Sequence, residues 1–106
     1  MEVRITTRRA AVGEAFLRKA EERVRKLARY EPRIHAVALT VDEDRGRVTV
    51  EARADVPGAP PMVASSQADS SRAALDRTIQ KLQRQLRRRR AKRLDHKAPP
   101  SQAVAG

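Results

Sequence analysis

The sequence lacks cysteine and tryptophan altogether, and it has only one tyrosine, one phenylalanine and four glycines among 106 residues. Without cysteine there is neither a disulfide framework nor a thiolate metal site. The two histidines, His35 and His96, lie far apart in the chain, so a structural zinc site is not expected. The composition therefore predicts no metal and no other cofactor.

Long apolar runs are also missing. No stretch approaches the roughly 18 residues that a membrane-spanning helix needs, and residues 1–9 lack the apolar region of a secretory signal. Of the 40% hydrophobic residues, 18 are alanine, which leaves enough larger side chains for one thin core. The length fits one domain. We therefore expect a single-domain cytoplasmic protein with no membrane partner.

Catalytic patterns are absent as well. The chain has no glycine-rich phosphate loop and no zinc-protease motif, and its histidines are isolated from any nucleophile and acid. Three consecutive acids, Asp42, Glu43 and Asp44, lack a calcium-loop pattern and precede Arg45-Gly46, so they are interpreted as part of a turn. The sequence predicts that the protein is not an enzyme and has no small-molecule substrate.

Hydrophobic periodicity divides the chain into six elements, four strands with period two and two helices with period 3.6. In chain order the predicted ranges are 2–6, 13–30, 35–41, 48–54, 62–66 and 73–94. The predicted fold class is α+β, with element order β-α-β-β-β-α in a two-layer sandwich. A four-stranded sheet carries both helices on one face. The domain is predicted to span 1–95, and 96–106 to form a disordered tail.

The positive charge is concentrated in the second predicted helix. Residues 77–97 contain ten basic side chains and one acid, and they supply +9 of the net charge of +11. At about 100° per residue, several of these cations lie opposite the apolar stripe of that helix. The stripe is Leu75, Ile79, Leu82 and Leu86, and the ridge opposite is Arg77, Lys81, Arg84, Arg88 and Lys92. This concentration of cations on one face of the helix predicts a surface that binds the phosphates along a polyanion such as a nucleic acid.

Two further patterns concern the helices. Beyond Arg87, arginines cover every side of the second helix, which predicts that its last turns project beyond the domain. In the first helix, acids and bases four residues apart predict the ion pairs Glu21–Arg25 and Glu22–Lys26.

The scarcity of aromatic residues narrows the kind of nucleic acid. Proteins that bind single-stranded nucleic acids stack the bases on exposed aromatic side chains. Phe16 lies on the apolar stripe of the first helix and is predicted to be core, and Tyr30 to be half-buried. A protein that reads the backbone and shape of structured RNA or DNA is therefore favoured.

Two stretches of the predicted helices form recognisable motifs. One stretch is Arg23–Tyr30 with Pro32-Arg33-Ile34. The other comprises Ala73–Asp76, Lys81–Leu86 and the basic residues through Lys92. Together they resemble the ribosome hibernation promoting factor family, which includes ribosome-associated inhibitor A, also called protein Y. Element order agrees over about residues 1–95, and the match is to the short form.

The resemblance implies a stress or stationary-phase factor that binds the small ribosomal subunit in the channel between head and body. There it would cover the decoding region and the mRNA and tRNA sites, and it would be monomeric off the ribosome. In this family both helices present basic residues to rRNA. The rRNA-binding residues implied at matching positions are Arg23, Lys26, Lys81, Arg84, Arg88, Arg90 and Lys92.

This chain also departs from the family pattern. Glu31 stands where the family usually has an aromatic residue, and Ser70-Ser71-Arg72 replaces Asp-Met-Tyr. Both changes remove hydrophobic staples and predict a thinner core and a looser entrance to the second helix. Two other functions stay open, namely a general binder of structured RNA or DNA and a module whose basic helix docks an acidic protein.

Overall fold

The computed structural model describes the backbone of residues 1–97 and the side chains of residues 1–93. It confirms the α+β class and the element order. The strands are β1 (Glu2–Arg8), β2 (Ala36–Asp44), β3 (Arg47–Asp55) and β4 (Met62–Ala68). The helices are α1 (Glu14–Arg25), a short 3-10 helix (Lys26–Arg29) and α2 (Ser71–Lys97). Among these residues, no helix is long and apolar enough to cross a membrane.

The four strands form one open sheet in the order β1-β2-β3-β4. β1 and β2 are parallel, with Val3 opposite Val37, and their connection contains α1, as a parallel pair requires. β2–β3 and β3–β4 are antiparallel. β1 and β4 are therefore the two edges, and the edge at β4 lies beside α2.

The β2–β3 hairpin is tighter than predicted. The prediction that Asp42, Glu43 and Asp44 belong to a turn is wrong, because all three lie in β2 and pair with β3. Only Arg45 and Gly46 form the loop, with φ values of 54° and 79°. Two consecutive left-handed residues are the signature of a two-residue turn that matches strand twist, and glycine adopts this conformation without strain.

Asp42 instead anchors the connection that leaves β1. Arg9, itself left-handed with φ 52°, donates from Nε to Oδ1 at 3.0 Å and from Nη2 to Oδ2 at 2.8 Å. These hydrogen bonds, together with the attraction of the two charges, lower the pKa of Asp42 below its usual value and raise the pKa of Arg9. Asp42 therefore stabilises the start of the connection between β1 and α1.

The core lies between the inner face of the sheet and the apolar stripes of the helices. Ala20, Val24 and Leu27 are buried on the first helical segment, and all four residues of the predicted α2 stripe are buried as well. Thr78 is also fully buried, and its hydroxyl donates to the Val50 carbonyl oxygen at 2.9 Å. Phe16 is only half-buried at the rim, whereas the half-buried position of Tyr30 is as predicted.

Both helices differ from their predicted ends. The first loses α-helical geometry after Arg25 and tightens into the 3-10 helix, as helix ends often do. α2 begins earlier, at Ser71, because the Ser70 hydroxyl accepts the Ala73 amide at 3.1 Å and caps the entrance. This hydrogen bond fixes the start of α2, although the hydrophobic staple expected at Ser70-Ser71-Arg72 is missing. α2 continues through Lys97, and 98–106 of the predicted tail lies outside the described residues.

Candidate nucleic-acid interface

The basic side chains of α2 fall into three rows, each with different surroundings. The "distal row" is Arg84, Arg88 and Lys92, which are four residues apart and exposed. Within residues 1–93, none of the three has a hydrogen bond or an ion pair. A spacing of four residues places their cationic groups along one side of the helix, about 6 Å apart along its axis. This spacing suits a polyanion whose charges also repeat.

The "edge row" is Arg77, Lys81 and Gln85, and its side chains bind the free edge of β4. Arg77 Nη1 donates to the Gln67 carbonyl at 2.9 Å. Lys81 Nζ donates to the Ser65 carbonyl at 2.8 Å, and Gln85 Nε2 donates to the Val63 carbonyl at 3.0 Å. Four helical residues rise about 6 Å and two strand residues span about 6.6 Å, so the two repeats match. The row therefore occupies carbonyls that a further strand would need.

The "clamp row" is Arg87, Arg90 and Arg93, which are three residues apart and face the end of the first helical segment. The Arg87 guanidinium lies 5.1 Å from the centroid of the Tyr30 ring, within cation–π range. Arg90 Nη1 is 3.5 Å from the Tyr30 carbonyl, and Arg93 Nη1 donates to Glu31 Oε1 at 2.9 Å. The prediction that these turns project beyond the domain is wrong as far as Arg93.

The first helix presents fewer available cations than the sequence indicates. Arg23 pairs with Asp76 of α2 and is three-quarters buried, with a side-chain exposure of 25%. Both predicted pairs are confirmed, Arg25 with Glu21 at 3.1 Å and Lys26 with Glu22 at 3.4 Å. Lys26 remains exposed. α1 and the 3-10 helix that extends it therefore contribute one of their two predicted rRNA-binding residues to the accessible surface.

Among the seven predicted site residues, the structure brings Lys81, Arg84, Arg88 and Lys92 onto adjacent rows of one helix. Arg90 lies on the clamp side of α2, while Arg23 and Lys81 have intramolecular partners. Arg89 is a candidate that the sequence pattern did not indicate. It lines a shallow groove of about 430 Å³ with Arg88, Lys92 and Met62. Only the packing of α2 beside Met62 creates this groove, so no local pattern could have indicated it.

No group of acids and histidines among residues 1–93 has the arrangement of a metal site. The distal row is instead cationic and exposed, and residues 77–93 of α2 contain no acid. Such a surface attracts phosphates at long range and releases counterions on contact. The arrangement can therefore bind a polyanion.

Lys81 is expected to contribute more to stability than to nucleic-acid binding. Lys81→Met keeps the aliphatic stem and removes the bond to Ser65, so the free energy of unfolding should fall by about 0.5–1.5 kcal/mol. The slope of log affinity against log salt for RNA should change little, which filter binding would measure. An unchanged unfolding curve together with a flatter slope would instead show that Lys81 contacts phosphate.

The profile of the family described as Sigma 54 modulation protein / S30EA ribosomal protein matches residues 3–94. A search of curated proteins gives no match. A ribosomal subunit interface protein from Coxiella burnetii superposes with a TM-score of 0.79 at 19% identity, covering 86% of this chain and 99% of that one. The Protein Y N-terminal domain from Thermus thermophilus gives 0.74 at 20%, covering 83% and 98%. At these identities the two structures establish the fold.

Proposed function

Since this chain belongs to the Sigma 54 modulation protein / S30EA ribosomal protein family, we propose that it is a cytoplasmic ribosome hibernation factor. It binds rRNA of the small ribosomal subunit in the decoding channel and blocks the mRNA and tRNA sites during stationary phase or stress. The observation that carries this proposal is the distal row, an exposed line of cations on the long helix of a family domain.

The similar structures support the ribosome as the partner. One is called a ribosomal subunit interface protein and the other is Protein Y, and each shares the fold over most of this chain. The charge distribution supports rRNA as the component that is bound, because +9 of the +11 lies in residues 77–97. A protein partner would need a mixed apolar and polar patch, whereas the distal row is cationic and solvated.

The proposed contacts differ among the implied site residues. Arg84, Arg88 and Lys92 contact rRNA phosphates directly, and the exposed Arg90 and Lys26 provide further contacts. Arg23 and Lys81 act indirectly, because they hold α2 against α1 and β4. Arginine can bind a phosphate through two parallel hydrogen bonds, so the two arginines are expected to fix orientation more than Lys92 does.

The proposed mechanism is reversible occupancy by a monomer, without chemistry and without a cofactor. Contacts between cations and phosphates weaken as salt rises, because the release of counterions into a more concentrated salt solution is less favourable. A protein that holds the decoding channel through such contacts keeps mRNA and tRNA out while it stays bound. Washing at high salt should return the ribosome in an active form.

Toeprinting of initiation complexes at increasing protein concentration tests this mechanism. Initiation should fall with dose on vacant subunits, and pre-bound mRNA and initiator tRNA should protect against the protein because the occupants exclude each other. Full recovery after a high-salt wash is expected. Equal binding to vacant and tRNA-filled subunits would refute occupancy and favour a general binder of structured RNA that coats rRNA elsewhere.

A further inference from the structure

Glu31 is a buried acid at the margin of the most basic surface of the protein. Its side chain is 3% exposed, and both carboxylate oxygens are engaged. Oε1 accepts from Arg93 of α2 at 2.9 Å. Oε2 accepts from the Arg33 amide at 3.1 Å and lies 3.5 Å from Arg33 Nε. A carboxylate at this depth needs such partners. Arg33 belongs to the segment that follows Glu31, so Arg93 is the partner that joins Glu31 to α2.

The clamp row restrains the part of α2 that lies beyond the edge row. α2 runs antiparallel to β4, and the edge row ends with Gln85 opposite Val63, one residue from the start of that strand. Leu86 is the last buried residue of α2 among residues 71–93. Beyond it, the hydrogen bonds and the cation–π contact that join α2 to the rest of the described domain are those with Tyr30 and Glu31. These contacts join the later turns of α2 to the end of the first helical segment, while Arg88, Arg89 and Lys92 lie around Met62 on the sheet side.

We propose that Glu31 is a positioning residue for RNA binding, which rests on the proposed function. Through Arg93 it fixes the later turns of α2 so that Lys92 continues the line of Arg84 and Arg88. The ion pair takes the place of the hydrophobic staple that the sequence lacks at this position. Arg93 therefore has a structural role, although nothing in the sequence distinguishes it from the neighbouring arginines.

Simple electrostatics and this proposal predict effects of opposite sign for Glu31→Gln. Removing a negative charge beside a polyanion-binding surface should strengthen RNA binding if charge alone matters. Loss of the contact between Glu31 and Arg93 should weaken RNA binding. The later turns of α2 would then be mobile in the free protein, and the entropy lost in ordering them would oppose binding. Arg93→Gln removes a positive charge but breaks the same contact. The proposal therefore predicts that two variants with opposite charge changes act in the same direction.

The experiment measures binding of the full-length chain to small ribosomal subunits over a salt series, together with amide hydrogen exchange. Both variants should bind several-fold more weakly, and the slope of log affinity against log salt should fall by about 0.7–0.9 for each phosphate interaction that is removed. Exchange at amides 88–93 should accelerate roughly tenfold or more, as expected when a charged hydrogen bond is broken. Core amides of Ile79 and Leu82 should keep their protection.

The double variant and an exposed acid serve as controls. Glu31→Gln combined with Arg93→Gln should weaken binding no more than the worse single variant, because both act through one contact. Glu22→Gln removes an exposed acid that pairs with Lys26 and should bind slightly more tightly. Tighter binding by Glu31→Gln, or unchanged exchange at 88–93, would overturn the proposal. If the unsubstituted protein fails to bind subunits, the proposed function fails, and unchanged exchange would refute the clamp separately.

Discussion

Replacing Arg84, Arg88 and Lys92 together by glutamine is expected to abolish most binding to the small ribosomal subunit while leaving the fold intact. The three side chains are exposed and lie away from the core stripe, so their replacement removes no core packing. Without three phosphate interactions, the slope of log affinity against log salt should flatten by about 2–2.7. At moderate salt the dissociation constant should rise on the order of 10- to 100-fold. Sedimentation with purified subunits at several salt concentrations measures both quantities.

A charge-matched variant separates this surface effect from net charge. Replacing Arg4, Arg45 and Arg53 by glutamine also removes three exposed cations, but from the outer sheet face and the hairpin turn. This control should bind only slightly more weakly, because it changes long-range attraction and leaves the distal row unchanged. Equal weakening in the two variants would mean that binding depends on overall charge, and the distal row would not be the interface.

The core stripe of α2 was predictable because burial in a helix follows the 3.6-residue period. Leu75, Ile79, Leu82 and Leu86 all lie within about one sixth of the helix circumference, and each is buried. The same local rule located the cations opposite the stripe. It could not say which of them are available, because that depends on which strand carbonyls and acids face them in the folded protein.

Lys81 and Arg84 show this limit clearly. Both belong to the predicted ridge, but Lys81 donates to a β4 carbonyl and Arg84 has no partner in the described structure. The difference arises from the register of α2 against the sheet edge, a contact between residues 16 positions apart. Helical spacing alone cannot contain this information, because it describes one element without its neighbour.

Glu31 illustrates a similar limit for a missing apolar residue. Its occurrence in place of an aromatic predicted a weaker core, since the pattern shows only that an apolar side chain is absent. The folded protein brings Arg93, 62 positions later, to the same place, where it binds one carboxylate oxygen while Arg33 binds the other. A polar residue in an apolar position is therefore informative only when its partner is known. The turn prediction for Asp42, Glu43 and Asp44 was wrong for a related reason, because their pairing with β3 outweighed their preference for turns.

Leu82→Ala is expected to destabilise the protein more than any of the surface substitutions. Leu82 is fully buried at the centre of the stripe, between Ile79 and Leu86, where α2 packs on the sheet. Truncation removes buried apolar surface and leaves a cavity, which should lower the free energy of unfolding by about 2–5 kcal/mol. A small domain typically has about 5–15 kcal/mol in total. Urea unfolding should therefore show a midpoint far below that of the unsubstituted protein.

Val63→Ala provides the matched deletion, because Val63 is apolar but half exposed on the outer sheet face. It should change stability by less than about 0.5 kcal/mol. If Leu82→Ala shifted the unfolding midpoint as little as Val63→Ala does, α2 would not be packed on the sheet and would be a free basic arm.

The two α2 variants also separate stability from binding. Leu82→Ala, measured well below its melting temperature, should keep the salt slope of the intact protein, since the distal row is unchanged. The distal-row triple variant should show a flattened slope at full stability.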